Sequence, residues 1–219
     1  MTPYQMLQQA TAADLERFCA VPFARRFFEG HSVPLECYED FLRQAYHRVK
    51  HTVPLLAATL ANHPEEPVRS ALRHYINEEF GHQEWVLSDL RSLGVDVNVV
   101  RAEKPYPTVD ALIHAMYWSI YKVNPWCMFG MIYVLEDMSV RIAHKMVAAI
   151  KRDYDLTAKS FVYLSTHGDV DVDHTEFLQN TIDSNLRNDS DLADVIQTAK
   201  TVYRTWGEVW RDHSEKYKL

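Results

Sequence analysis

His167, Asp171 and His174 are spaced so that, on an α-helix, two imidazoles and one carboxylate share a single stripe. At about 100° per residue the three fall within an arc of roughly 60°, while Asp169 and Asp173 point elsewhere. Leu164 precedes them on that stripe and Leu178 and Ile182 follow it, so these polar groups are expected to face the interior of a helical assembly. Buried polar groups without partners are costly, and a metal ion is a common way to satisfy several at once.

Two other places carry the same chemistry. Glu79 and His82 stand at i and i+3 on a stripe defined by Leu72, Tyr75, Ile76, Val86 and Leu90, the Glu-x-x-His arrangement with which helical bundles hold carboxylate-bridged metal pairs. Glu78 lies about 100° round the helix, toward His74 and Trp85, so Glu79 is the expected inward carboxylate and Glu78 the alternative. Glu136 is a lone acid flanked at helical spacing by Phe129, Ile132, Tyr133, Val140 and Ala143. Taken alone, each of these groups is more often a solvated face or a hydrogen-bonded pair than a metal ligand. Three separate burials of charge without a shared counter-ion would be expensive, so together they point to one centre. Three imidazoles and three carboxylates suit two first-row metal ions with positions left open for oxygen. Mixed nitrogen and oxygen donors favour iron or manganese over calcium or magnesium, and the lack of thiolates argues against structural zinc.

The elements that must hold these groups read as helices throughout. Apolar residues from Leu35 to Leu60 recur at helical spacing and predict one long core helix over Val33 to Asn62, kinked by Pro54. After a His63-Pro64 break, Val68 to Leu90 predict a second helix, closed by Gly94. Asn98 to Thr108 reads as a connection. A third helical stretch begins near Val109, is interrupted around Asn124-Pro125 and resumes through Ile150, with a turn at Asp153 to Asp155. The histidine stripe follows, and an amphipathic helix from about Ser190 to Tyr217 ends the chain. No strand alternation and no repeat is visible, so the expectation is an all-α bundle of about seven helices.

Composition narrows the function classes. The 219 residues are read as one domain, 1–219, and are enough for a substantial core; 47% are hydrophobic and 24% charged, and the six glycines are few for a sheet-rich fold. A formal net charge of -7 without a clustered basic stripe argues against a nucleic-acid partner. Met1 to Ala20 mixes polar residues into its apolar pattern, against a signal-peptide core, and no apolar run reaches about 18 residues. The expectation is a cytoplasmic protein with no membrane partner, acting on a small molecule and pairing with itself as a homodimer. Cys19, Cys37 and Cys127 read as free thiols in apolar surroundings.

With these residues in view, the chain resembles the heme-oxygenase-like diiron oxidases and oxygenases, a branch of the superfamily that includes thiaminase II and pyrroloquinoline-quinone synthase. Members resemble Glu-x-x-His on one core helix, a lone Glu on the next and then His-x-x-x-Asp-x-x-His. Here the matches are Glu79 with His82, Glu136, and His167 with Asp171 and His174. Tyr133-Val134-Leu135-Glu136 followed by Arg141-Ile142-Ala143 is also similar to that group, and the likeness spans nearly the whole chain. The resemblance implies a seven-helix heme-oxygenase-like bundle, two iron ions with dioxygen as co-substrate, and no heme. It implies an oxidase or oxygenase acting on a small amino acid, aromatic ones included, or on a fatty-acid-like substrate, by N-oxygenation, C-C cleavage, desaturation or nitrile formation.

Where some members offer a further glutamate from the first core helix, this chain offers Gln44, His47 and His51. His51 is either another ligand, a donor behind the ligands, a substrate contact or a core histidine bonded to a carbonyl. Substrate contacts are expected from Gln44, His51, Tyr75, Phe129, Tyr133 and Arg141, with Arg141 a candidate for a substrate carboxylate. A thiaminase II-like hydrolase is the alternative: Cys127 follows Pro125 as that family's nucleophile does, and Glu208 would stand for its acid/base residue. No base or positive charge that would activate the thiol is evident around Cys127. The second alternative is a helical scaffold whose polar stripes pair with one another.

Overall fold

Thr2 and Gln5 start the first helix: the Thr2 hydroxyl accepts from the Gln5 amide while the Gln5 side chain accepts from the Thr2 amide, with Pro3 at the first helical position. The computed structural model describes residues 1–63 and 65–219; Pro64, half of the expected His63-Pro64 break, lies outside the described residues. After α1 (Pro3–Cys19) and the short α2 (Pro22–Phe28), the predicted Val33–Asn62 helix comes as two pieces, α3 (Leu35–Val49) and α4 (Thr52–Asn62). The break falls at Lys50-His51 because a proline ring collides with the carbonyl four residues earlier, and for Pro54 that carbonyl belongs to Lys50.

The next predicted helix is also divided, into α5 (Glu66–Glu79) and α6 (His82–Ser92). Gly81 between them has φ +96°, a backbone region that only glycine enters freely. α6 closes as expected at Gly94 (φ +84°), where the Val95 amide reaches back to the Leu90 carbonyl at 3.0 Å. The expected connection contains α7 (Val97–Ala102), capped by the Asp96 carboxylate. α8 (Pro107–Trp118) runs into a π turn at Ser119–Val123, and α9 (Cys127–Asp153), α10 (Val162–Asn185) and α11 (Asp189–Tyr217) follow. Among the described residues, eleven α segments replace the expected seven. Counting each broken pair as one rod and setting aside short α2 and α7 recovers the seven. Among the described residues there is no strand, and no helix is long and apolar enough to cross a membrane.

Three contacts fix where the chemistry-bearing helices lie. A Cβ at Gly130 of α9 would sit 2.5 Å from the Val195 carbonyl oxygen and 2.9 Å from the Ala199 nitrogen of α11, so glycine lets these two backbones cross closely. Asp89 of α6 accepts from the Val162 and Tyr163 amides at 2.9 and 3.0 Å, which caps α10 one turn before His167. Burial pushes the Asp89 carboxyl up to about 7 against the pull of those amides. At the far end, Asp40 of α3 accepts from Lys216 at 2.7 Å and Tyr217 at 3.1 Å, and from Tyr106, locking α11 to α3 and the start of α8. Burial would raise Asp40, but its bonds from Lys216 and Tyr106 hold it below the usual carboxylate range.

Candidate metal centre

The break at Gly81 places Glu79 at the last residue of α5 and His82 at the first of α6, so the pair does not share one continuous helix as the spacing predicts. They meet all the same: Glu79 Oε2 lies 3.1 Å from His82 Nδ1. His167 of α10 completes the group, with one ligand atom from each of Glu79, His82 and His167 within 4.8 Å of the others. The His82 ring stacks on Trp85 with centroids 3.8 Å apart, which fixes its plane. His167 donates from Nδ1 to the Tyr163 carbonyl at 2.9 Å, leaving Nε2 as the free donor atom, the usual way a ligating imidazole is oriented. Burial would raise Glu79, yet the adjoining His82 imidazole holds it below its ordinary value. Burial also lowers His167. Glu78 is exposed, so Glu79 is the carboxylate that faces this group.

The second group is looser. His174 Nδ1 lies 3.3 Å from Asp171 Oδ1 and 3.8 Å from Glu136 Oε1, with all three residues buried. Asp171 beside it raises His174. Burial, with Asp171 and Glu79 nearby, drives Glu136 well above the ordinary carboxyl range. Val140, expected on the Glu136 stripe, is 39% exposed; Ile142, Ala143 and Met146 continue that buried face instead.

These residues fit a metal. His82 Nδ1, His174 Nδ1 and Glu136 Oε2 are buried polar atoms without a hydrogen-bond partner among the described residues. Three carboxylates converge in a region where like charges repel strongly, and a divalent cation would relieve both the repulsion and the unsatisfied atoms. The donors are imidazole nitrogen and carboxylate oxygen, the mixture that suits iron.

A cleft with about 580 Å³ of space between atoms opens onto the site, and Glu79, Glu136, His167 and Asp171 are in its wall. Of the six expected substrate contacts, Tyr75 lines this cleft and the other five do not. Gln44 instead accepts from the Tyr106 amide at 2.8 Å, since it lies on the side of α3 facing the start of α8. His51 stands at the α3–α4 break beside Tyr117, 3.5 Å from its hydroxyl, and His47 turns toward Lys50 and Glu103. Phe129 packs on Trp126, and Tyr133 faces α1, its hydroxyl 3.2 Å from Thr11. Arg141 is on the surface, paired with Asp137 at 2.7 Å. The cleft wall adds Arg48, Thr52, Met131, Leu135, Ser139 and Tyr163. Of these, Arg48 had a readable signal, as a cation on the otherwise apolar Phe41, Ala45, Val49 face.

Cys127 is buried, facing the Asp194 carbonyl of α11 at 4.0 Å, and burial raises its thiol. Glu208 is exposed and pairs with Arg211 at 2.7 Å. Neither lines the cleft, so the structure does not bring the hydrolase pair to the site. All three cysteines are free; Cys37 is buried and pushed up to about 12, and Cys19 is half-buried.

An all-α bundle holds these imidazoles and carboxylates beside one cleft. Residues 39–207 match the family model described as iron-containing redox enzyme, and the chain belongs to that family. Among solved structures it is similar to a domain of unknown function with a heme oxygenase-like fold from Shewanella denitrificans OS217 (TM-score 0.87, 23% identity, covering 100% of this chain and 94% of that one). It is also similar to a TenA homologue from P. horikoshii OT3 (TM-score 0.80, 15% identity, 98% and 99% covered). A third similar structure is heme oxygenase-1 from the cyanobacterium Synechocystis sp. PCC6803 in complex with heme (TM-score 0.78, 11% identity, 100% and 95% covered). At these identities the likeness establishes the heme oxygenase-like fold. No curated protein matches in sequence.

Proposed function

We propose that this protein is a non-heme diiron enzyme that uses dioxygen to oxidise a small organic substrate, an amino acid or a fatty-acid-like molecule, with no heme. The observation that carries the reading is two donor groups, Glu79/His82/His167 and Glu136/Asp171/His174, from α5, α6, α9 and α10, of which Glu79, His167, Glu136 and Asp171 line one cleft. Iron bound there would supply the redox chemistry with dioxygen.

The chain's own residues do the rest. Glu79, Glu136 and Asp171 would neutralise the cations, and the Tyr163 carbonyl keeps His167 in the tautomer that presents Nε2. Tyr75 ties α5 to α10 by donating to the His174 carbonyl at 3.4 Å, holding the two donor groups in register. Met128, Met131, Ile132 and Leu135 form an apolar wall that limits water at the site.

Anaerobic ferrous titration followed by a pulse of oxygen tests the reading. Binding of about two irons per chain, a higher melting temperature on loading, and an absorbance transient on oxygen addition are expected. A His167→Ala, Asp171→Ala double variant that binds iron as well as the parent protein would refute it.

A further inference from the structure

Arginines that form ion pairs in this protein lie toward the surface, among them Arg43 with Glu39 and Glu103, Arg141 with Asp137, and Arg211 with Glu208. Arg48 is different. It is 8% exposed, and among the described residues it makes no ion pair. Its Nη2 donates to the Tyr163 hydroxyl at 2.7 Å, its Nε is buried without a partner, and its guanidinium carbon lies 5.0 Å from the centroid of the Trp206 ring. A buried fixed positive charge with no directly paired anion is a costly arrangement, and a planar guanidinium matches a carboxylate.

Its position says which molecule would bring that anion. Arg48 and Tyr163 stand in the wall of the metal cleft and also in the wall of a second, adjoining chamber between α3, α9, α10 and α11. Met138, Ile142, Met146, Leu164, Trp206 and Trp210 make that chamber apolar. We propose that Arg48 anchors the carboxylate of the substrate and that the chamber takes its apolar chain, so the substrate class is a carboxylic acid with an alkyl or arylalkyl tail. The carboxylate sits where the two spaces join, and the carbons next to it face the imidazole and carboxylate cluster. This rests on the oxidase reading for its chemistry, but the anchor itself is a binding site that can be measured without turnover.

Trp206 and Trp210 report on the chamber by fluorescence. Iron-loaded protein under anaerobic conditions is titrated with octanoate, octanol and octylamine, and with acids from butanoate to octanoate. The expected result is that octanoate binds at least about tenfold more tightly than octanol or octylamine, the loss of one charge-assisted contact. Affinity for the acids should rise a few-fold per methylene. Arg48→Met should bring octanoate down to the level of octanol, Arg48→Lys should fall between, and both should keep the parent iron content. Equal binding of octanoate and octanol, a flat chain-length series, or unchanged octanoate binding in Arg48→Met would overturn the proposal. Loss of iron in both variants would overturn it too, by making Arg48 a support of the metal cluster. A protein that binds octanoate through Arg48 yet holds no iron would overturn the oxidase reading while supporting the anchor.

Discussion

The two donor groups are built differently although they share a cleft. Glu79, His82 and His167 depend on a helix interruption: the chain stops at Glu79, turns through Gly81 and restarts at His82, and the three ligand atoms already lie within 4.8 Å of one another. Glu136, Asp171 and His174 depend on two uninterrupted helices lying side by side, and among the described residues Glu136 Oε2 and His174 Nδ1 have no hydrogen-bond partner, as His82 Nδ1 has none in the first group. The first group is arranged by local backbone geometry. The second is arranged by packing and, without a cation, is electrostatically strained. Preorganisation at the first group predicts tighter metal binding there, with the second filling after it.

Removing one donor from each group is the most direct way to break that comparison. His82→Ala should lower iron affinity at the first group by at least about a hundredfold, the upper end of what is seen even for residues that only support ligands. Glu136→Gln should abolish the second iron while leaving the first. Because burial and neighbouring carboxylates favour the neutral form of Glu136 when no cation is present, Gln should leave metal-free stability within about 0.5 kcal/mol of the parent, and remove part of the melting-temperature gain on loading. Iron counts and melting curves on the two variants check this. A loss of both irons from either variant would show one cooperative centre instead of two unlike halves.

Gly81 sharpens the comparison from the backbone side. Nothing lies within 4 Å of a Cβ built there, so Gly81→Ala costs only backbone strain, about 1–2 kcal/mol. Relief of that strain moves Glu79 relative to His82, and iron affinity at the first group should drop by about tenfold. Gly94→Ala is the control: it has the same kind of φ, the same open space and no donor beside it, so it should cost similar stability and leave iron binding alone. Equal effects of the two substitutions on iron would mean the turn at Gly81 does not set the first group's geometry.

How much of this was legible from residue order differs in the same way. The helical fold, the inward choice of Glu79 over Glu78, the closing role of Gly94 and the buried stripe around Asp171 follow from periodicity, because burying an apolar face fixes which side chains turn inward. The interruption at Gly81 did not, since an isolated glycine inside a helical pattern is normally tolerated. Pro54 leads to the expectation of one kinked helix, whereas its steric effect, one turn earlier, breaks the helix in two. Tyr133 and Phe129 are expected at the cleft from residue type, and Gln44 from the helix face on which some similar proteins offer a glutamate. Each has a partner on another helix, at Thr11, Trp126 and Tyr106, that no single-helix pattern contains.

Protons should separate the two halves more gently than substitutions do. An imidazole binds metal only when neutral and a carboxyl when ionised, so a group whose pKa is raised gives up metal at a higher pH as acid is added. In the second half both shifts run that way, with His174 raised by Asp171 and Glu136 raised by burial. In the first half His167 is lowered by burial, and Glu79 is held low by His82, so protons compete there only at lower pH. The variants above isolate each half: Glu136→Gln leaves the first, His82→Ala the second. Equilibrium dialysis against manganese, which does not oxidise during the measurement, should show the second half losing metal as pH falls, beginning above the ordinary histidine value of about 6.5. The first half should hold until the pH is clearly lower, and each half should then weaken by about tenfold per pH unit for each competing proton. Loss of metal from the first half at the higher pH would reverse the comparison and place the preorganised site on the α9–α10 side.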